Sequence, residues 1–249
     1  MIRLSVNVNK VATLRNSRGG RQPRVLDAVA VCLAAGTAGI TVHPRADRRH
    51  ITPDDVRDIA SVLEGRRPAV EYNIEGDPRS ELLDLVLAVK PDQCTLVPVA
   101  PGETTSHVGW MPGADSERLP AAISCLRAAG IRVSLFVDPE PKAIKFAAAA
   151  GADRIELYTE PFARAFDHGS ADARASFHAY AEAARLAASL GLGVNAGHDL
   201  DLENLVVFRD LPHLDEVSIG HALISRALFV GLDVVVREYL AVLRGQTPV

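Results

Sequence analysis

The chain has 249 residues, 48% of them hydrophobic, and a formal net charge of −4. That is enough apolar matter for a full core, and the mildly acidic balance excludes the broadly basic footprint of a nucleic-acid binder. Three cysteines, Cys32, Cys94 and Cys125, stand in apolar segments without a Cys-x-x-Cys pair, so they read as small core residues and not as a disulfide framework or zinc site.

The first strand is expected over Leu4–Asn7, opening the chain without a signal peptide. No apolar run approaches the ~18 residues of a membrane span, so a soluble cytoplasmic protein is expected. Between Lys10 and Arg24 the sequence places five cations and no carboxylate. A helical pattern, Val25–Ala35, then leads to a β-branched strand, Gly39–His43. The loop after it delivers Arg45, Arg48, Arg49 and His50, a density of guanidinium groups suited to an anionic, phosphorylated ligand.

Further on, a helix over Pro53–Leu63 precedes a strand over Ala69–Asn73, and a helix over Glu81–Val89 precedes a strand over Gln93–Pro98. Thr104 and Thr105 fall in the next loop. A helix over Pro120–Ala129, a strand over Arg132–Val137 and Asp138, read as the cap of a helix near Pro141, come next. Strands over Arg154–Leu157, Gly193–Ala196 and Glu216–Ile219 complete the series, and one long helix is expected over Ala222–Leu243. Helical patterns stop at Gly36, Gly130, Gly151 and Gly191, where a left-handed cap residue belongs. Eight strand–helix units of about 30 residues each point to a single-domain (β/α)8 barrel. A doubly wound nucleotide-binding sheet lacks its Gly-x-G-x-x-Gly turn here, and no Walker A motif occurs.

In such a barrel the chemistry sits at the C-terminal strand ends and in the loops that follow. Those positions hold Asn7 and Asn9, His43, Glu71, Thr104, Asp138, Glu156, His198, and Gly220-His221. Glu71 and Glu156 interrupt barrel strands, where a carboxylate without a partner is costly. Gly220 between the last strand and its helix leaves backbone N–H groups open to an anion. No compact metal-ligand spacing is present, and Lys10 is the one lysine expected near the mouth. Acid–base chemistry by Glu and His, with no cofactor and no metal, is the expected mechanism. Gly- and Pro-rich residues 100–116 and residues 162–170 are the candidate lids.

Five segments carry a specific likeness: residues 11–19 (VATLRNSRG), 39–51 (GITVHPRADRRHI), 133–138 (VSLFVD), 194–198 (VNAGH) and 219–222 (IGHA). Through them the chain resembles the pyridoxine 5′-phosphate synthase family over essentially its whole length. The resemblance implies condensation of 1-deoxy-D-xylulose 5-phosphate with 3-amino-2-oxopropyl phosphate, giving pyridoxine 5′-phosphate, phosphate and water, by a homo-octamer. It implies that His43 and Glu71 accept protons, that His198 donates one, and that Glu156 stabilises a transition state. Arg45, His50 and Thr104 would bind the xylulose phosphate; Asn7, Arg18, Gly220 and His221 would bind the amino-ketone phosphate. Asn9 and Lys10 replace an acid and an imidazole of the more familiar Asn-x-Asp-His motif, and Asp199 replaces a glycine. These three are counted with the substrate-binding set, Lys10 offsetting Asp199. Two other readings stay open on the residues alone: a sugar-phosphate lyase or aldolase forming an imine at Lys10, and a non-catalytic phosphometabolite-binding barrel.

Overall fold

The computed structural model describes residues 1–98, 108–113 and 116–246. Strand β1 (Arg3–Asn7) is followed by α1 (Asn9–Asn16) and α2 (Val25–Ala35), then β2 (Gly39–Val42), α3 (Pro53–Leu63), β3 (Glu71–Gly76) and α4 (Ser80–Val89). The chain continues through β4 (Gln93–Leu96), α5 (Leu119–Ala128), β5 (Arg132–Val137), α6 (Pro141–Ala149) and β6 (Arg154–Tyr158). It ends with α7 (Glu160–Asp167), α8 (Ser170–Ser189), β7 (Gly193–Gly197), α9 (Leu205–Phe208), β8 (Leu214–Ile219), α10 (His221–Val230) and α11 (Leu232–Leu243). The strands form a closed parallel barrel in sequence order, sealed where β1 pairs with β8 (Arg3 opposite Glu216, Ser5 opposite Ser218). No helix among the described residues is long and apolar enough to cross a membrane.

Period-two alternation divides each strand between two environments. Leu4, Val6, Ile40, Val42, Tyr72, Ile74, Val133, Leu135, Ile155 and Leu157 are buried in the main hydrophobic core. The intervening positions hold Ser5, Thr41, Asn73, Glu75, Thr95, Ser134, Glu156, Asn195 and Glu216, all buried and polar. The apolar core therefore lies between sheet and helices, while the barrel axis is polar. Local signals set the helix ends. Thr52 and Asp55 form a reciprocal capping box at α3, with Pro53 in the first turn, and α2 stops at Gly36 with φ +97°.

Several expectations are corrected here. Strand β3 extends to Gly76, not Asn73, because Glu71, Asn73 and Glu75 share one face and the turn begins only at Gly76-Asp77-Pro78. The long C-terminal helix is two helices, broken at Gly231 (φ +95°, ψ 145°), a backbone state outside the helical region. Cys125 is exposed, whereas Cys32 and Cys94 are buried. Asp138 does not cap α6; its carboxylate accepts the Gly109 N–H at 2.9 Å, and Glu140 is the residue ahead of that helix. Within residues 162–170, helix α7 runs to Asp167. Thr104 and Thr105, and most of the other candidate lid, lie outside the described residues.

Candidate active site

The C-terminal mouth of the barrel encloses a cavity of about 670 Å3. Asn7, Asn9, Lys10, His43, Arg45, His50, Glu156, His198, Asp199, Gly220 and His221 line it, which brings together eleven of the fourteen residues expected at the site. Thr13, Arg49, Glu75, Tyr158, Glu160, Arg164 and Ser218 complete the wall. Arg18 does not join them: it lies exposed in the turn after α1. Arg48 is likewise exposed, with φ +53°.

Glu71 is the main correction. As the first residue of β3 it lies at the opposite end of the barrel, four residues below the mouth, or ~13 Å at the usual strand rise. Its Oε2 meets Arg132 Nη2 at 2.5 Å and Arg3 Nη1 at 3.3 Å. Together with Arg67, Lys90 and Asp92 these groups line a separate cleft of about 410 Å3. The carboxylate that faces the mouth from β3 is Glu75. It escapes notice in the sequence when the strand is ended at Asn73; the signal that finds it is the i, i+2, i+4 polar alternation from Glu71.

Glu75 and His43 form the centre of the cavity, with Glu75 Oε2 3.8 Å from His43 Nδ1. The first βα turn orders both. Asn7 Nδ2 donates to Glu75 Oε2 at 3.4 Å, and Asn7 Oδ1 accepts the Asn9 N–H at 3.0 Å. Asn9 Oδ1 in turn accepts the His43 N–H at 2.9 Å, so position 9 acts here on the backbone beneath the imidazole. On the far side, Arg79 Nη2 donates to the Pro44 carbonyl at 2.7 Å. The His50 loop is pinned from α1, where Arg15 pairs with Asp55 (2.5 and 2.9 Å) and Asn16 Nδ2 donates to the His50 carbonyl at 2.8 Å.

Burial sets the protonation states. It pushes Glu75 up to about 8, with Glu216 adding like-charge repulsion. It also pushes Glu156 well above the carboxylate range, helped by Glu75 and opposed by a hydrogen bond with Thr95. The imidazoles move the other way. Burial lowers His43 well below its usual value, reinforced by His50, Arg45, His198 and Arg79. His50 falls to about 4 through burial, Arg45 and Lys10. Near neutral pH Glu75 and Glu156 are thus favoured in the protonated form and His43 and His50 in the neutral one. His50 Nδ1 accepts the Ile51 N–H at 2.9 Å, which leaves the proton on Nε2 as a donor. His43 Nε2 is buried without a hydrogen-bond partner among the described residues.

Two glycines admit close approaches. A Cβ on Gly197 would stand 2.4 Å from Glu156 Oε1, and one on Gly220 would meet Asn7 Cβ at 3.1 Å. Gly220 precedes α10, whose N-terminus opens onto the cavity beside His221. Lys10, Arg45, Arg49 and Arg164 add cations around the same space. A cavity with buried proton carriers in its depth and cations on its walls suits acid–base chemistry on phosphorylated substrates.

A family profile described as "Pyridoxal phosphate biosynthesis protein PdxJ" matches residues 4–245. The chain belongs to the PdxJ family. Proteins named pyridoxine 5′-phosphate synthase from Christiangramia forsetii and Bacteroides thetaiotaomicron are each 51% identical to it over 245 residues, covering 98% of this chain and 100% of theirs. A protein of the same name from Leptospira biflexa is 50% identical over 254 residues, covering 98% and 97%. Among solved structures, "Native KDPGal structure" superposes with a TM-score of 0.61 at 12% identity over 97% of this chain and 94% of that one. Phosphoribosyl anthranilate isomerase from Thermotoga maritima gives 0.57 at 14% identity over 98% and 100%. At those identities the likeness is one of fold, and both agree with the closed barrel of this PdxJ-family chain.

Proposed function

We propose that this chain is a pyridoxine 5′-phosphate synthase, joining 1-deoxy-D-xylulose 5-phosphate to 3-amino-2-oxopropyl phosphate with release of phosphate and water. The observation that carries the reading is the pairing of His43 with Glu75 at 3.8 Å inside a cavity that also holds Glu156 and His198. Relatives of that name at 51% identity over the full length support it. Imine formation, loss of water and phosphate, and ring closure each require protons to be taken from and returned to carbon, nitrogen and oxygen.

Glu75, held near 8, has both states within reach at neutral pH, as a proton acceptor needs. Neutral His43 is the second acceptor. His198 returns a proton to a leaving oxygen, and Glu156, protonated and buried, donates to charge that develops beside it. Glu75 takes the role that the family resemblance assigns to Glu71. The N-terminus of α10 and Asn7 suit one phosphate, while Arg45 and the His50 Nε2–H suit the other. Asn9 works through His43; Lys10 and Asp199 face the substrates from the rim. Thr104, outside the described residues, keeps its assignment by resemblance, and Arg18 would need to act from outside the cavity.

The same reading takes the protein to be a cytoplasmic homo-octamer. A corner of exposed apolar side chains supports self-association: Leu228 is 69% and Phe229 87% exposed, beside Val230 and Val234.

The test is incubation with both phosphorylated substrates and detection of pyridoxine 5′-phosphate by chromatography and mass. Product is expected; folded protein that leaves both substrates intact would overturn the assignment. Borohydride trapping in the same mixture separates the aldolase alternative, which requires an adduct on Lys10.

A further inference from the structure

His198 follows β7 with φ +80°, and Asp199 follows it with φ +58°. Two consecutive residues with side chains in the left-handed region need a surrounding that enforces them. The enforcing group comes from the neighbouring strand. Thr159 is fully buried immediately after β6, and its Oγ1 lies 2.6 Å from the Gly197 carbonyl oxygen and closer still to that of His198. Its backbone N–H donates to the Gly197 carbonyl as well, at 3.0 Å. Those two carbonyls belong to the peptide planes on either side of the His198 Cα, so one hydroxyl bridging them fixes the dihedral angles of that residue.

Two further observations agree. Thr159 occupies the N-cap of α7, where a threonine hydroxyl ordinarily accepts a helix N–H, yet it makes no such bond. Its hydroxyl is spent on the β7 turn instead. The His198 ring also rests in a defined socket, with centroids 4.9 Å from Phe136 and 5.5 Å, nearly perpendicular, from Tyr158. A relaxed backbone at His198 would swing the imidazole out of that socket.

We propose that Thr159 is a positioning residue for His198: its hydroxyl locks the left-handed turn that seats the imidazole against Phe136 and Tyr158. The proposal rests on the reading of His198 as proton donor. Turnover is measured for Thr159→Val, which keeps shape and loses the hydroxyl, for Thr159→Ser, which keeps it, and for each in a His198→Gln background. Thr159→Val is expected to lower kcat by ~10- to 100-fold, with KM changed by less than about twofold. Thr159→Ser is expected to remain near wild type, and Thr159→Val to cost nothing further once His198 is Gln. Wild-type kcat in Thr159→Val alongside a His198→Gln of reduced but measurable kcat would overturn the positioning role. So would an equal fold-loss in both backgrounds. Wild-type kcat in His198→Gln would instead overturn the proton-donor reading. If Thr159→Val does not fold, Thr159→Cys, a weaker donor of similar size, is expected to give an intermediate loss in kcat, and no loss would overturn the proposal.

Discussion

Replacing Glu75 and Glu71 separately by glutamine should have opposite consequences for activity and stability. Glu75 is held at about 8 against an ordinary 4.5, so from pH 4.5 to 8 the native protein carries a proton that the unfolded chain has released. Stability therefore falls as pH rises through that window. From pH 4.5 to 7 the loss comes to ~3 kcal/mol at ~1.4 kcal/mol per pH unit. Glu75→Gln removes the penalty. The variant should resist urea better than wild type at pH 7, by up to ~3 kcal/mol, and should match it at pH 4. Its turnover should drop by ~10²- to 10⁴-fold with the loss of a proton acceptor.

Glu71→Gln should behave the other way. It deprives Arg132 and Arg3 of a buried counter-charge at 2.5 and 3.3 Å. Those guanidiniums are about one-third exposed, so screening limits the cost to roughly 1–2 kcal/mol. The folded fraction should turn over normally. The assays are pyridoxine 5′-phosphate formation and urea unfolding at the two pH values. A dead Glu71→Gln beside an active Glu75→Gln would reverse the assignment. Equal stability of Glu75→Gln and wild type at pH 7 would refute the argument from burial.

Other expectations follow from the same geometry. Gly197→Ala would drive a methyl against Glu156 Oε1 at 2.4 Å, so turnover should fall as far as in Glu156→Gln; normal turnover would remove Glu156 from the chemistry. Because Glu75, the assigned proton acceptor, must be deprotonated to act and is held at about 8, the acid limb of kcat/KM should lie near 8 and not at the ordinary carboxylate value of 4.5. A limb near 4.5 would contradict this. Phe229→Asp places a charge at the centre of the exposed apolar corner and should lower the assembly mass measured by light scattering; an unchanged mass would move the interface elsewhere.

Strand–helix alternation was legible in the sequence because each parallel strand is short, apolar on its outer face and bounded by turn residues. The closed barrel followed from it. What was not legible was the depth of a residue along its strand. Glu71 and Glu75 have the same orientation and similar neighbours, and only the point where β3 ends decides which one reaches the mouth. A strand ended at Asn73 puts Glu71 at the mouth, where the fold puts Glu75. The same ambiguity affects the first loop, where a run of cations looks like one cluster. Folded, Lys10 lines the cavity, Arg15 pins Asp55, and Arg18 stands in solvent. Tertiary pairing, which single-sequence reading does not contain, makes that division.

The polar barrel axis explains why these carboxyls can be placed where they are. Ser5 and Thr41 hydroxyls meet at 2.7 Å, Thr95 donates to Asn73 Oδ1 at 3.0 Å, and Gln93 Nε2 reaches Thr95 at 3.3 Å. Arg132 Nε then donates to Gln93 Oε1 at 2.9 Å, which joins the network to the ion pairs around Glu71. In a barrel filled with aliphatic side chains, Glu75, Glu156 and Glu216 would each be a buried carboxyl with no polar contact beneath it. Here the floor of the cavity consists of short amides and hydroxyls that satisfy one another without supplying a full positive charge. Burial can therefore raise the Glu75 and Glu156 pKa values without a cation beneath them, whereas Arg3 and Arg154 oppose the rise at Glu216. The cations are kept to the two ends: Arg3 and Arg132 pair with Glu71 at one, and Arg45, Arg49 and Lys10 line the mouth at the other. This separation of charge along the axis lets one strand carry a structural carboxylate at Glu71 and a titrating one at Glu75, four residues apart.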